Sequence, residues 1–240
     1  RPHERYKRAT VQQTHNLMKK LRKDLSTALH PNDFYAHCHI EMPEEETILT
    51  KCTQGDVELK YSRPALLVSS TSWTPDEDFS VLLKAVEMYD QKRKNLSEED
   101  QSQWPCLLVF ITGKGHLRDH YVQKMRHMDL EFVALRTIWL EASDYPLLLG
   151  SADVGISLHT SSSGIDLPMK VVDMFGCRLP VCSATYPAIT ELVQPNVNGL
   201  LFDTGEELCE HLWTLLHRFP FSDIQSPNLL QTLRENLDQQ

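Results

Sequence analysis

Between Val154 and Ser183 the chain reads VGISLHTSSSGIDLPMKVVDMFGCRLPVCS, and few folds accommodate that order of residue types. Val154 to Leu158 is an apolar run of strand length. His159 to Asp166 follows as a polar loop, with four hydroxyl residues in a row and then Gly164. Pro168 opens a helix-like segment running to about Gly176, at a position where its fixed φ and missing N–H cost least. Leu179 to Cys182 is a second apolar run. Strand, Gly/Ser loop, helix and strand make a βαβ unit. Such units bind ligands at the carboxyl ends of strands and at helix N-termini, where free N–H groups and the dipole favour anions.

The rest of the chain supplies the sheet around this unit. The regular domain starts at Arg63-Pro64, and Ala65–Ser70 is a continuous apolar run of the kind buried on both faces of a parallel sheet. After the loop Thr71–Thr74, Pro75 and the acids Asp76, Glu77 and Asp78 suit a helix start, with a stripe at Val81, Leu82, Ala85, Val86 and Tyr89. Lys92–Asp100 reads as an exposed loop. Further strands are expected at Cys106–Thr112, Glu131–Leu135 and Leu200–Phe202. Helices are expected at His116–Arg126, Ala188–Val193 and Gly205–His217, with one more around Leu229, Leu230 and Leu233. The alternation from 64 to 217 predicts an α/β, doubly wound parallel sheet, Rossmann-like. Before it, Lys7–Ala28 reads as a helix with a basic face, and 31–63 as irregular. Residues 1–61 thus form a partial N-terminal region or linker, 62–218 the binding domain and 219–240 a helical tail.

Composition removes several function classes. A formal net charge of -9 argues against non-specific binding to nucleic acid or anionic lipid. No apolar run of about 18 residues occurs, so nothing in the sequence reads as a membrane span, and no signal peptide is visible. The chain begins with Arg1, as a fragment or processed form would. The six cysteines show no paired framework, and Cys106, Cys182 and Cys209 sit in apolar runs as small hydrophobes. His37-Cys38-His39 lacks a second pair at zinc-ligand spacing, and no metal site is expected.

The site candidates cluster at strand ends. Gly113 and Lys114, with Gly115, follow an expected strand, where a Gly-Lys-Gly turn can cradle phosphate or simply turn. Ser162, Ser163 and Gly164 supply hydroxyls and backbone N–H groups directly ahead of the Pro168 helix. Lys170 and Asp173 share a helical face, either as phosphate and hydroxyl ligands or as a surface ion pair. His159 closes a strand, either as a donor and general base or as a structural histidine. Trp73 and Trp139 follow strands on the same rim, where each either stacks on a base or sugar or packs. Glu141 and Asp144 are possible acceptors for a purine or ribose. No GxSxG elbow or HExxH helix is present, which favours nucleotide-diphosphate binding over hydrolysis through a covalent nucleophile.

The segments ALLVSSTSWTPDEDFSVLL, ITGKGHLRDHY, WLEASDYPLLLGSADVGISLHTSSSGIDLPMKVVDMFGCRLPVC and ELVQPNVNGLLFD, over about residues 62–217, resemble the C-terminal half of the chitobiosyldiphosphodolichol β-mannosyltransferase family. The resemblance implies the Rossmann-like C-terminal half of a GT-B glycosyltransferase that binds GDP-mannose as donor, with no cofactor. It also implies a dolichol-linked chitobiose acceptor, β-1,4 transfer with inversion, and residence at the cytosolic face of the endoplasmic reticulum membrane. Other mannosyltransferases of the pathway would be partners, and membrane association would come from regions missing here. Carried over by position, Asp173 matches the second acid of an EX7E-like motif that contacts the nucleotide ribose. The first acid of that motif falls at Ile165, and Asp166 stands one place later. Ser162, Ser163, Gly164 and Lys170 fall by the donor sugar and diphosphate, and Gly113 and Lys114 face the nucleotide. His159 and Asp166 are the catalytic candidates. Only residues 1–60 precede the donor domain, too few for a second Rossmann unit, so a catalytically inert relative binding nucleotide sugar or protein is the other expectation.

Overall fold

A computed structural model describes residues 6–26, 33–36, 42–161, 166–220 and 228–239. His37, Cys38 and His39 lie outside the described residues, as do Ser162, Ser163 and Gly164.

The alternation expected from residue 64 onward is present. Six strands, β3 (Ala65–Ser70), β4 (Leu107–Thr112), β5 (Val133–Ile138), β6 (Val154–Ser157), β7 (Val181–Ala184) and β8 (Gly199–Phe202), form one sheet. Its order is β5-β4-β3-β6-β7-β8, and every pairing is parallel. Strand order reverses between β3 and β6, so the crevice outside their carboxyl ends is where a doubly wound sheet takes a ligand.

Period-two alternation splits the strand residues between two cores. Leu67, Val109, Leu135 and Ile156 face one side, against Phe79, Leu82, Tyr89, Met125, Leu208 and Leu212. Leu66, Val68, Leu108 and Phe110 face the other, against Leu17, Met18, Leu148, Val171 and Met174. The sheet is therefore apolar on both faces, as the unbroken apolar runs require.

The N-terminal region departs from expectation. The helix begins at Val11, not Lys7, because Thr10 and Gln13 form a capping box. It runs as α1 (Val11–Lys20) and α2 (Arg22–Ser26). Residues 31–63 are not wholly irregular: β1 (Thr50–Thr53) and β2 (Asp56–Leu59) form an antiparallel hairpin. Its turn takes positive φ at both Gln54 (54°) and Gly55 (94°), the primed geometry that matches strand twist.

Lys92–Asp100 is not a loop. Helix α3 (Phe79–Lys94) continues to Lys94, whose ammonium sits 2.8 Å from the buried Asp90 carboxylate one turn earlier. Ser97 then caps α4 (Glu98–Gln101). Further along the described residues come α5 (Arg118–Arg126), α6 (Asp144–Ser151), α7 (Met169–Gly176), a 3-10 turn at Pro187–Glu191 in place of the expected short helix, α8 (Gly205–Leu215) and α9 (Leu229–Asp238). Cys106 is half-buried, not a core residue, and its sulfur accepts from Arg93.

One buried charge cluster ties these parts together at the amino ends of the strands. Asp153 takes both terminal nitrogens of Arg63 (2.7 and 2.9 Å), Arg234 of α9 (2.8 Å) and the Leu66 N–H (2.9 Å). Arg8 donates to the neighbouring Ala152 carbonyl. Burial pushes the Asp153 carboxyl up, but the guanidinium of Arg63 and then those of Arg234 and Arg8 outweigh it and hold the group well below the usual carboxylate range.

Candidate functional site

Three strand exits meet at the reversal point. The loop leaving β3 turns at Trp73, in the left-handed region (φ 52°). That indole is 1 % exposed and packs on Phe79 and Tyr121, donating from Nε1 to the Gly113 carbonyl at 3.3 Å. Trp73 is therefore a packing residue, unavailable for stacking on a base or sugar. The loop leaving β4 passes directly beneath. Gly113 has φ 131°, and a Cβ there would stand 2.9 Å from the Thr71 carbonyl carbon and nearer still to its oxygen. A Cβ on Gly115 would meet the Trp73 Cβ at 2.7 Å. Both glycines are required by backbone crossing backbone, a demand the Gly-Lys-Gly spacing alone did not reveal.

That crossing presents Lys114 at the rim. Its ammonium lies 3.8 Å from the ring centroid of Trp139, which is 62 % exposed. The two flank a cavity of about 260 Å³ at the carboxyl ends of β4 and β5, floored by Ile111, Thr137 and Ile138 with Arg118 at its edge. An exposed indole carrying a cation over its face is a flat apolar platform with charge beside it.

Glu77 is the functional candidate that the sequence reading missed. It lies in an acidic run that looks like a helix start. Asp78 is the N-cap, accepting from Ser80 N–H at 3.0 Å, which leaves Glu77 to turn inward. Glu77 is 3 % exposed. One carboxylate oxygen accepts from Thr71 Oγ1 and from Ser72 N–H (2.6 Å), and the other from Lys170 Nζ (2.7 Å). Lys170 also donates to Ser72 Oγ at 3.0 Å. The first turn of α7 is thus latched to the β3 exit across the crevice.

Lys170 and Asp173 are not brought together. Lys170 reaches to Glu77, while Asp173 accepts from Tyr6, and burial raises its pKa. Beside it Tyr145, pushed up to about 12 by burial, shares a 3.0 Å hydrogen bond with Ser70 at the end of β3. Glu141 and Asp144 are both engaged by Lys20, at 3.0 and 2.7 Å; Asp144 is buried and Glu141 exposed.

On the far side of the crevice His159 stands between two carboxylates. Its Nε2 is 3.2 Å from Asp166 Oδ2 and its Nδ1 3.4 Å from Asp76 Oδ2. Its ring meets Tyr186 edge-on at 5.9 Å. Asp166 also accepts from Ser161, and its backbone carbonyl from the Tyr186 hydroxyl at 3.1 Å. Asp76 is tied to the β6 exit, its carbonyl accepting from Thr160 Oγ1 at 2.7 Å. Hydrogen bonding from Thr74, helped by His159 and Lys170, holds the Asp76 carboxyl below its ordinary value. His159 and Asp166 are thus brought together, with Asp76 as a third member that spacing could not supply. With Nε2–H donating to Asp166 the ring plane is fixed, and the lone pair that a proton acceptor needs is left on Nδ1, the nitrogen facing Asp76.

The family model described as "Glycosyl transferases group 1" matches residues 63–218. UDP-glycosyltransferase TURAN of Arabidopsis thaliana is 49% identical over 227 residues, which are 91% of this chain and 49% of that protein. The human chitobiosyldiphosphodolichol beta-mannosyltransferase is 51% identical over 174 residues, 72% of this chain and 36% of that protein. The chain spans about half the length, or less, of these curated relatives. Among solved structures, Anabaena HepE in complex with UDP and glucose aligns at a TM-score of 0.51 with 18% identity, over 73% of this chain and 43% of that one. Sheet order and structural likeness agree on a Rossmann-like fold, and by the family model the chain belongs to the group 1 glycosyl transferases.

Proposed function

We propose that this chain is the donor-binding half of a GDP-mannose-dependent β-1,4-mannosyltransferase. It extends a dolichol-diphosphate-linked chitobiose at the cytosolic face of the endoplasmic reticulum membrane. The names of its relatives motivate the acceptor. The observation that carries the donor reading is the placement of Lys170, in the first turn of α7, at the sheet's reversal point. A helix start offers N–H groups without helical partners, and an ammonium beside them adds a point charge for a diphosphate.

In this reading the nucleobase rests on Trp139 beside Lys114, and the diphosphate lies along the start of α7. The acceptor hydroxyl attacks the anomeric carbon from the face opposite the diphosphate. The new C–O bond forms as the bond to the diphosphate breaks, with its electron pair leaving on phosphate. The hydroxyl proton passes to a base, for which His159, oriented by its Nε2 hydrogen bond to Asp166, is the candidate. Among the described residues no helix is long and apolar enough to cross a membrane.

Titration calorimetry of the chain with GDP, GDP-mannose and UDP tests the donor assignment. The expected result is one site for GDP, competed by GDP-mannose and at least tenfold weaker for UDP. A folded chain that gives no heat with GDP overturns the donor reading. Equal affinity for UDP overturns the choice of donor.

A further inference from the structure

Beside Lys170 the crevice is lined by acid. Asp76, Glu77 and Asp166 line it, and Lys170 is neutralised by a carboxylate 2.7 Å away. An anion site would ordinarily leave its lysine uncompensated. Glu77 is also not a rim residue with a mobile side chain: it is almost wholly buried, with both oxygens engaged.

We infer that Glu77 is an affinity-setting residue: it braces the β3 exit and offsets the charge of Lys170, so that the crevice does not over-hold a nucleoside diphosphate. This rests on the nucleotide-sugar reading above and deepens it. A transferase must release its diphosphate product, which carries more negative charge than the sugar-linked donor. An uncompensated ammonium favours that product most, and uniform tightening of ground-state binding gains nothing in turnover. A counter-charge fixed on the protein side keeps Lys170 in place while lowering its pull.

The chemistry of the pair sets the sign of the test. Glutamine at 77 has one acceptor oxygen and one donor amide. It can serve Thr71 and Ser72 or Lys170, not both, so Glu77→Gln frees the ammonium from its counter-charge. One unit charge roughly 10 Å from the ligand in a protein-surface dielectric changes affinity by about tenfold.

Calorimetry with GDP on Glu77→Gln, Lys170→Met and the double variant decides it, with thermal melts to confirm folding. The expected pattern is GDP bound about tenfold tighter by Glu77→Gln, about tenfold weaker by Lys170→Met, and recovered at least threefold over Lys170→Met in the double variant. A merely structural Glu77 gives the opposite: weaker binding in Glu77→Gln and no recovery in the double variant. Either of these results overturns the inference. If Glu77→Gln fails to fold, the double variant, in which glutamine no longer faces an ammonium, still decides by recovery or its lack. A wild-type chain that does not bind GDP removes the nucleotide-sugar reading itself, and this inference with it.

Discussion

Gly113→Ala is the most informative single methyl group that can be added to this chain. The Cβ would lie 2.9 Å from the Thr71 carbonyl carbon and closer to its oxygen, at a φ of 131° that side chains rarely adopt. The backbone conformation costs about 1–2 kcal/mol, and forcing extra volume into a packed crossing costs about 1–3 kcal/mol more. The strain cannot be shed cheaply. Thr71 donates its N–H to Thr112 at 2.8 Å and its hydroxyl to Glu77, so moving it loosens the Glu77 latch on Lys170. The expected loss is about 2–5 kcal/mol, or roughly 5–15 °C in Tm for a chain of this size. GDP affinity falls as well, because Lys114 leaves its place over Trp139. Urea unfolding and calorimetry on the same preparation read both effects. A variant with unchanged Tm and unchanged GDP affinity would refute the claim that backbone crossing, rather than phosphate contact alone, places a glycine here.

Three other outcomes follow from the structure. Trp139→Ala leaves Tm within about 2 °C, because the indole is mostly exposed, but weakens GDP by about three- to tenfold, the worth of one ring stack. Asp153→Asn costs about 3–5 kcal/mol in urea unfolding at pH 7, because buried Arg63 loses its counter-ion. Since the folded-state pKa of Asp153 is depressed, its contribution is complete above the unfolded value of about 4 and is lost as pH falls through the lower folded value, so the gap between wild type and Asp153→Asn narrows between roughly pH 4 and pH 2. On the proposed function, His159→Ala in a protein that transfers mannose lowers that transfer at least a hundredfold with GDP affinity changed less than threefold. A parallel loss of GDP binding would make His159 a donor ligand instead.

The sheet was legible because β3 and β4 are unbroken apolar runs and the loops between elements carry their own signals. Pro168 marked the start of α7, and Thr204 and Asn228 cap α8 and α9 as their residue types suggest. The short hairpin β1–β2 escaped notice because Gln54, not Asn or Asp, opens its turn and its strands are mostly exposed. Position along the chain put Lys170, His159 and Asp166 at strand exits, where the structure has them, but did not show what each would touch. Glu77 and Lys170 are 93 residues apart, and Lys20 neutralises Glu141 and Asp144 from more than a hundred residues away. Such pairings depend on which side of the sheet each helix packs, which local periodicity does not encode. Trp73 shows the converse: a rim position by spacing, and a core position because its backbone turns left-handed.

Amide chemical-shift mapping of the labelled chain during titration with GDP tests the central claim most directly. Saturable shifts should concentrate at Thr71–Glu77, Gly113–Lys114, Thr137–Leu140 and the first turn of α7, with none at the Arg63–Asp153 cluster at the opposite edge of the sheet. Shifts centred on that opposite edge, or none at all with a folded protein, would contradict a donor site at the reversal of strand order.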